Sequence, residues 1–338
     1  MGKIPFVSIL IPTLNSQRVL GNCLISIKRQ DYPKNRLEII VADGGSIDET
    51  IKIAEKYNTR IYHNKLKTGE AGKAVALKKA RGELVALIDS DNVLPGKDWL
   101  KKMVQPFSDK AILGSEPLWF TYRKNDNFIN RYCALLGAND PYAFFVGNYD
   151  KLSVLSGKWT GVKIQQEDKK NYLKVFFQKP PFPTVGANGT FWRRRLLLEV
   201  IGKANYLFDT DIPYAIARQR REFCFAKVKV GIVHLYCQSW HDFYRKQKRR
   251  VCDFLSLEQS GQRKSTYQRN NFKQILFVLS VVTVIPLLIQ TVKGYSRKSD
   301  LAWFFHPIAN WITLLVYSTQ ILSGKIGLVK VERKNWKQ

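Results

Sequence analysis

Two aspartates, one residue apart, stand at the end of an apolar run in the first third of the chain. Asp89 and Asp91 directly follow the apolar residues 84–88, a run of suitable length for a buried strand. Mg²⁺ and Mn²⁺ prefer oxygen ligands and are usually held by one or two carboxylates together with substrate phosphates. The pair therefore predicts a divalent cation (Mg²⁺ or Mn²⁺) on the diphosphate of a nucleotide. The same spacing also suits an Asx turn or the cap of a following helix.

A third aspartate, Asp43, leaves another apolar run into two glycines. The glycines let the backbone turn tightly, so the carboxylate can face a ligand, and the N–H of a uracil base is a suitable donor to it. The alternative role is a helix cap, but Ser46 and Glu49 form a capping box for a helix ending near Tyr57. We therefore expect Asp43 to be available to a base.

These side chains require a scaffold that brings strand ends together. Short apolar runs alternate with helical stretches and predict strands at 6–11, 37–42, 60–63 and 83–88. This rhythm is typical of a parallel, helix-covered sheet, in which ligands bind beyond the carboxyl ends of the strands. Thr13 and Asn15, after the first strand, would then reach the base or the ribose, although Pro12-Thr13 also suits a plain turn.

Composition limits the class of protein. The chain has 338 residues and a formal net charge of +28, from 55 Lys and Arg against 27 Asp and Glu. A charge of this size implies an anionic partner such as nucleic acid, anionic lipid or a phosphorylated substrate. Five cysteines without C-x-x-C spacing suggest neither a disulfide framework nor a zinc site. No signal-peptide core follows Met1, so we expect the catalytic part in the cytoplasm.

Two long apolar stretches, 275–292 and 301–322, follow a basic amphipathic helix predicted over 240–259. At 1.5 Å per residue the first is about 27 Å long and the second is longer, against a hydrocarbon core of ~30 Å. A transmembrane hairpin is the leading expectation. A helix pair lying in the membrane interface is the alternative, because Pro286 and His306 interrupt the stretches. The basic helix suits an anionic membrane surface, which places the protein at the cell membrane.

Four motifs occur in a fixed order: IPTLN at 11–15, VADGGSIDET at 41–50, ARGE at 80–83 leading into DSD at 89–91, and FDTDI at 208–212. In this order they resemble the motifs of family 2 glycosyltransferases, the inverting nucleotide-sugar transferases of GT-A fold. The resemblance covers residues 6 to about 250. It implies an α/β fold with a mostly parallel sheet flanked by helices, Rossmann-like in its nucleotide-binding half and followed here by the C-terminal apolar helical hairpin.

The resemblance, the basic helix and the two apolar stretches together give the expected domain boundaries. A catalytic domain is expected over 1–240, with a donor half to about 110 and an acceptor half over 111–240. A basic interface helix and linker follow over 241–272, and the membrane-associated hairpin with a basic tail occupies 273–338.

The family pattern implies roles on the donor side. It places Pro12, Thr13, Asn15 and Asp43 at the nucleotide. Lys73, on a helix predicted over 70–80, is placed to reach the diphosphate.

The same pattern implies a metal site. Asp91 is the direct ligand of the cation, and Asp89 lies on the ribose or in support of the metal. A histidine after the catalytic carboxylate adds a further ligand, and His234 stands in the matching place, with His241 as the competing candidate.

Direct displacement at an anomeric carbon requires a base on the acceptor side. Asp209 aligns with the acidic pair that supplies this base in the family, and Asp211 is the alternative. The family usually has Glu-Asp at this point, whereas this chain has Phe208-Asp209. Capping of a helix that begins at Ile212 is the purely structural alternative for these aspartates.

Residues 185–195 resemble the acceptor-side loop and helix of the family. The resemblance places Asn188 and Gly189 on the acceptor side, where the glycines of the loop permit close backbone approach. Trp192 can stack on a sugar face, and Arg193 or Arg194 can contact phosphate. Equally, Trp192 can belong to the core and the arginines to the surface.

We therefore expect a membrane-attached, metal-dependent inverting glycosyltransferase of cell-envelope polysaccharide or glycolipid biosynthesis. It would move one sugar from a UDP- or GDP-linked donor to a lipid-linked or glycan acceptor on the cytoplasmic membrane face. A polyprenyl-phosphate acceptor is the alternative within this class, because its ionised phosphate needs no strong base. A nucleic-acid-binding protein is not expected, since no such motif is present. A catalytically inactive membrane scaffold is the remaining alternative.

Overall fold

The computed structural model describes residues 4–186, 188–202, 204–259 and 271–325, without the side chains of 256–259 and 324–325. It divides into two compact units: the sheet unit, Met1–Thr121 with Lys163–Leu235, and the helical unit, Tyr122–Val162 with Tyr236–Gln338. This division differs from the expected boundaries, because 122–162 clusters with the C-terminal helices rather than with an acceptor half. The predicted linker residues 260–270 and basic tail 326–338 lie outside the described residues.

The described part of the chain contains strands and helices as follows. The strands are β1 Val7–Thr13, β2 Leu37–Asp43, β3 Arg60–His63, β4 Leu84–Leu87, β5 Asn92–Val93, β6 Ile112–Phe120, β7 Gln165–Asp168, β8 Tyr172–Phe177, β9 Thr190–Arg193 and β10 Phe223–His234. The helices are α1 Gln17–Lys28, α2 Thr50–Lys56, α3 Gly69–Lys79, α4 Trp99–Val104, α5 Phe128–Leu136, α6 Pro141–Val146, α7 Arg194–Ile201, α8 Ile212–Gln219, α9 Trp240–Gln259, α10 Asn271–Thr283, α11 Ile285–Arg297 and α12 Phe305–Lys325. Short 3₁₀ turns occupy Lys34–Arg36, Gln105–Ser108, Asp209–Asp211 and Leu301–Phe304.

The sheet unit is built on one mixed sheet with the strand order β3-β2-β1-β4-β9-β6-β10-β8-β7, and β5 pairs with β10. The strands β3, β2, β1 and β4 are parallel to one another, as the alternation of strands and helices predicted. Beyond β4 the sheet is mixed rather than parallel throughout: β9 lies between β4 and β6 and is antiparallel to both, whereas β10 pairs in parallel with β6 and in antiparallel with β8.

Burial explains why the first strands were recognisable from sequence. In β1 and β2 almost every residue is buried, which is the pattern of parallel strands covered on both faces by helices. Helix α3 packs closely on the end of β1, since a Cβ on Gly72 would lie 2.8 Å from the Cβ of Pro12. This close approach brings the next residue of α3, Lys73, to the strand ends.

The predicted capping box after β2 is wrong. Helix α2 begins at Thr50 with Glu49 as its N-cap residue; the Glu49 side chain makes no capping hydrogen bond, and Oδ1 of Asp48 accepts from the N–H of Thr50 at 3.0 Å. The Ser46 hydroxyl instead donates to the Asp43 carboxylate, 2.6 Å away.

The helical unit has its own aromatic core. Helix α9 has the bounds that sequence predicted, and it buries Phe243 against the ring of Phe305, 5.3 Å between centroids. Tyr132 of α5 packs on the same Phe305 ring at 5.4 Å. The predicted basic face of α9 is exposed at Arg245, Lys248 and Arg249. Arg250 is partly buried rather than exposed, and its guanidinium donates to the carbonyl of Asn139 and to the side-chain oxygen of Gln247.

The expected transmembrane hairpin is not confirmed by the two apolar stretches. The first is broken between α10 and α11, where Val284 has a φ of 63° and Pro286 opens α11, so the two helices meet at 86°. In the second stretch His306 is buried and bonds the Tyr132 hydroxyl. No single helix in the described part of the chain has both the length and the apolar character of a membrane span. Taken together, α10 and α11 have that length and apolar character, but they form a bent pair.

Candidate functional site

The carboxyl ends of β1 and β2 present Thr13 and Asp43 side by side, as register partners in the parallel pair. The Thr13 hydroxyl donates to Oδ1 of Asp43 at 2.9 Å. Oδ2 of Asp43 accepts from the backbone N–H groups of Gly45 and Ser46, each at 2.8 Å. With the Ser46 hydroxyl this makes four hydrogen bonds, about as many as a carboxylate can accept. Asp43 is therefore not left without partners, in contrast to what the sequence suggested: its carboxylate already holds the loop after β2 at the edge of the sheet.

Asn15 joins the loops that follow β1 and β2. Its Oδ1 accepts from the backbone N–H of Ile47 at 3.0 Å, and its own N–H donates to the Ser46 hydroxyl at 2.8 Å. The φ of Asn15 is 49°, a left-handed conformation that asparagine tolerates better than most residues. The predicted nucleotide-side residues thus form one connected rim at the sheet edge.

Asp91 and His234 are brought together by strand pairing. His234 ends β10 opposite Asn92 of β5, and the N–H of Leu235 donates to the carbonyl of Asp91 at 2.9 Å. The Nε2 atom of His234 consequently lies 3.4 Å from Oδ2 of Asp91. The competing candidate, His241, is exposed on α9 of the helical unit.

The pair has the right chemistry for a cation but does not complete a site alone. A carboxylate oxygen and an imidazole nitrogen are both ligands that Mn²⁺ and Mg²⁺ accept. Among the described residues, no group of three or more His, Cys, Asp or Glu is arranged to hold a metal ion. Asp91 and His234 therefore fit a cation whose other ligands are substrate phosphates and water, the usual arrangement for magnesium at a nucleotide.

Lys73 occupies the space between two carboxylates. Its ammonium lies 2.5 Å from Oδ2 of Asp209 and 3.1 Å from Oδ1 of Asp89, and its side chain is only 7% exposed. Burial alone lowers the pKa of an ammonium, but the charges of Asp209 and Asp89 outweigh burial and raise the pKa of Lys73. Lys73 is thus a fixed positive charge that links the end of β4 to the turn at Asp209.

Asp209 has the properties of a general base. Burial raises its pKa to about 7, opposed by the charge of Lys73 and assisted by that of Asp89. Its Oδ1 atom is buried and has no hydrogen-bond partner among the described residues. The turn packs directly against the backbone at Gly186, where any side chain would collide with the Asp209 carbonyl oxygen. Oδ2 is therefore held and Oδ1 is left to accept a proton.

Asp211 closes the same 3₁₀ turn and is buried. It stands at the N-cap position of α8, yet its side chain makes no capping hydrogen bond. The structural alternative of a helix cap is therefore not realised at this residue.

The loop before β9 meets the loop after β4 through two asparagines. The amide of Asn92 donates to Oδ1 of Asn188 at 3.0 Å, and Oδ1 of Asn92 accepts from the N–H of Asp89 at 3.0 Å. The N–H of Gly189 donates to the carbonyl of Leu87 at 2.9 Å. Asn188 and Gly189 thus lie at the candidate site. Sequence reasoning missed Asn92, although its place directly after the second aspartate was a usable signal.

Trp192 and Arg193 do not lie at the site, and their acceptor roles are wrong. β9 runs antiparallel to β4, so Thr190 lies opposite Leu87 at the site edge and Arg193 lies opposite Leu84 at the far edge. Trp192 is fully buried. Arg193 donates to backbone carbonyls, including that of Ile112 at 3.0 Å.

A buried ion pair that sequence reasoning missed supports the site from the sheet. Lys227 lies 2.6 Å from Oε2 of Glu116, and both side chains are inaccessible to solvent. Oε1 of Glu116 accepts from the N–H of Gly186 at 3.0 Å and from the Thr190 hydroxyl at 2.8 Å. The signal was a glutamate as the single charged residue of β6.

The chain is similar to known proteins in sequence and in fold. The profile of Glycosyl transferase family 2 matches residues 8–197, more than half of the chain. The poly(ribitol-phosphate) beta-N-acetylglucosaminyltransferase TarS of Staphylococcus aureus is 39% identical over 100 residues, 28% of this chain and 17% of TarS. Glycosyltransferase AglE of Haloferax volcanii is 29% identical over 136 residues, 38% of this chain and 44% of AglE. The matched regions therefore span less than half of these relatives.

A solved structure shares the fold. The mannosyltransferase PcManGT from Pyrobaculum calidifontis, in complex with GDP-Man and Mn²⁺, superposes with a TM-score of 0.50 at 17% identity, over 98% of this chain and 83% of that chain. Identity at this level supports a GT-A-like α/β fold and no more. Taken with the family profile, these findings show that the chain belongs to glycosyltransferase family 2 and is a glycosyltransferase.

Proposed function

We propose that this glycosyltransferase moves one sugar from a UDP- or GDP-linked donor to an acceptor hydroxyl, with inversion and with a divalent cation. The observation that carries the proposal is the Asp209 carboxylate, whose Oδ2 is held by Lys73 while its buried Oδ1 has no partner among the described residues. A carboxylate in this state, with a pKa near neutrality, is suited to remove a proton from a hydroxyl.

On the donor side, the rim formed by Pro12, Thr13, Asn15 and Asp43 would receive the nucleotide. Because Asp43 already accepts four hydrogen bonds, a base N–H would reach it only by sharing an oxygen or by displacing the Ser46 hydroxyl. The structure of PcManGT is a complex with GDP-Man, which supports a nucleotide-sugar as the donor of this chain.

Asp91 and His234 would hold the cation, with Asp89 beside it. When bound, the cation neutralises charge on the departing nucleoside diphosphate as a Lewis acid. Oδ1 of Asp89 lies 3.1 Å from the Lys73 ammonium. This contact favours a role for Asp89 in holding Lys73 and the donor over a role as a metal ligand. The Mn²⁺ in the PcManGT complex supports use of a divalent cation.

On the acceptor side, Asp209 would take the proton of the attacking hydroxyl through Oδ1, with Asp211 as the alternative base. Asn188 and Gly189 line the approach, and the Glu116–Lys227 pair fixes the loop that backs Asp209 through the N–H of Gly186. We place the reaction at the cytoplasmic face of the cell membrane, with a lipid-linked or glycan acceptor. The support is the apolar surface of the helical unit and the net charge of +28.

The test is Asp209→Asn, assayed for sugar transfer and for donor binding. Loss of a general base is expected to lower kcat about 10²- to 10⁴-fold while the donor still stabilises the protein against heat. The control is Asp31→Asn, which removes a carboxylate that is 72% exposed and should leave kcat unchanged. Full turnover in Asp209→Asn would contradict the assignment and would favour an acceptor that is already ionised, such as a polyprenyl phosphate.

A further inference from the structure

The helical unit carries most of the exposed apolar surface of the protein. In the described part of the chain, 23 large apolar side chains are exposed, and 18 of them lie between Phe272 and Leu322. Single exposed apolar residues are ordinary on soluble proteins, whereas a concentration of them marks an interaction surface. We call the exposed apolar residues of 272–322 the apolar face.

Each helix of the bent pair has a packed side and an outward side. α11 buries Leu287 and Thr291 while Ile289 and Val292 are 62% and 68% exposed. α10 buries Phe277 and Val281 and exposes residues of similar size between them, such as Leu279 at 54%. Because the inner sides already supply the packing, the outward sides are left without a partner in the described structure.

The apolar face continues beyond the bent pair. Leu301 and Phe304 in the 3₁₀ turn are 72% and 58% exposed, and Leu315 of α12 is 55% exposed. The inner residues of the same segment, Trp303 and Ala309, are buried in the aromatic core of the helical unit. The exposed residues therefore belong to a folded unit with its own core.

Charges lie at the two ends of the bent pair and nowhere between. Residues 274–292 contain no Asp, Glu, Lys or Arg, whereas Lys273 precedes them and Lys293, Arg297 and Lys298 follow. Lys293 and Lys298 are exposed, and Arg297 also donates to the carbonyls of Val154 and Leu155. An apolar face edged by basic side chains is complementary to an anionic lipid surface.

The lengths of α10 and α11 limit how deep they can reach. Each has 13 residues, which at 1.5 Å per residue gives about 20 Å, less than the ~30 Å hydrocarbon core. The 86° bend prevents the pair from forming one straight rod. We propose that α10, α11 and the exposed residues of 301–322 form a docking surface that enters a single leaflet of an anionic membrane, with Lys293, Arg297 and Lys298 among the lipid headgroups.

This inference rests on the membrane location included in the proposed function and specifies the surface that provides it. The test is flotation of the full chain with preformed vesicles, without donor or acceptor. A failure of binding would thus be distinct from a failure of the chemistry. The expected result is co-flotation with vesicles of phosphatidylcholine and phosphatidylglycerol, with weaker binding to pure phosphatidylcholine and in high salt.

Two sets of variants identify the surface. Ile289→Glu with Val292→Glu should weaken binding at least about a hundredfold, because two large apolar side chains no longer enter the leaflet. Lys293→Gln with Lys298→Gln should weaken binding to the anionic vesicles about 20- to 30-fold and leave binding to neutral ones unchanged. The matched control is Ile47→Glu, since Ile47 is 93% exposed in the sheet unit and should not contribute.

Other occupants of the apolar face give different results. Binding that persists in the double glutamate variant would overturn the proposal. Flotation only after reconstitution from detergent would indicate a span through both leaflets and overturn the single-leaflet docking. Absence of flotation with a dimer that the glutamate variant separates would assign the face to a second copy of the chain.

Discussion

Replacement of Lys73 by methionine should change the pH at which the enzyme works. Asp209 must be ionised to act as a base, so activity should be present above its pKa and be lost as the pH falls through about 7. Lys73, 2.5 Å from Oδ2 of Asp209, opposes the effect of burial on that pKa. Without this ammonium, the acid limb of the pH profile should move to higher pH.

The size of the shift follows from Coulomb's law. Two unit charges about 4 Å apart interact by about 4 kcal/mol at an effective dielectric constant of about 20, and this figure is a lower bound here because the Lys73 ammonium lies 2.5 Å from Oδ2 of Asp209. One pKa unit corresponds to about 1.4 kcal/mol, so loss of Lys73 should raise the pKa of Asp209 by about 3 units. At pH 7 the ionised fraction would fall from about half to about one in a thousand, and kcat/KM should fall by two to three orders of magnitude.

The assay is kcat/KM for the donor as a function of pH, which reports the ionisation of the free enzyme. Lys73→Met should recover activity at higher pH, and Lys73→Arg, which keeps the cation, should retain most of it. Lys78→Met is the matched control, because Lys78 is an exposed lysine on the same helix. An unshifted acid limb in Lys73→Met, with activity lowered equally at every pH, would refute the reasoning and would indicate a direct contact with the donor instead.

Three further substitutions test other parts of the site. Asp91→Ala, and separately His234→Ala, should weaken metal-dependent donor binding by at least about 10- to 100-fold in calorimetry; unchanged binding would remove the pair from the metal site. Lys227→Met should cost about 3–5 kcal/mol and lower Tm by about 10 °C, because Glu116 would remain charged and buried; a change of Tm below about 2 °C would contradict this. Trp192→Phe should lower Tm by a few degrees and leave the acceptor KM unchanged, since its indole N–H has no partner among the described residues; a raised acceptor KM would restore Trp192 to the site.

The donor edge was predictable because its signals are local. A parallel strand buried on both faces is a continuous apolar run, so β1, β2 and β4 and the polar residues after them could be identified. The resemblance to the family also assigned Asp91 and His234 to one site, and the structure brings these two side chains together. The commitment of Asp43 to four internal hydrogen bonds was not predictable, because it depends on the conformation of a loop.

The acceptor side was harder because its contacts join distant parts of the chain. Lys73 and Asp209 are 136 residues apart, and no periodic pattern links them. Trp192 was misplaced because the insertion of β9 between β4 and β6 turns it into the core, a consequence of strand order that one sequence does not reveal. The break between α10 and α11 has a sequence signal in Pro286, but the angle of 86° depends on packing within the helical unit.

The central claim is that this chain transfers a sugar from a nucleotide donor with a divalent cation at Asp91. The most direct measurement is release of nucleoside diphosphate from a panel of UDP- and GDP-sugars, with Mn²⁺ or Mg²⁺ and with a chelator. We predict release from at least one donor, dependent on the cation, abolished by the chelator and lost in Asp91→Ala. Release that is unaffected by the chelator and by Asp91→Ala, or no binding or release with any donor in either metal, would contradict the account.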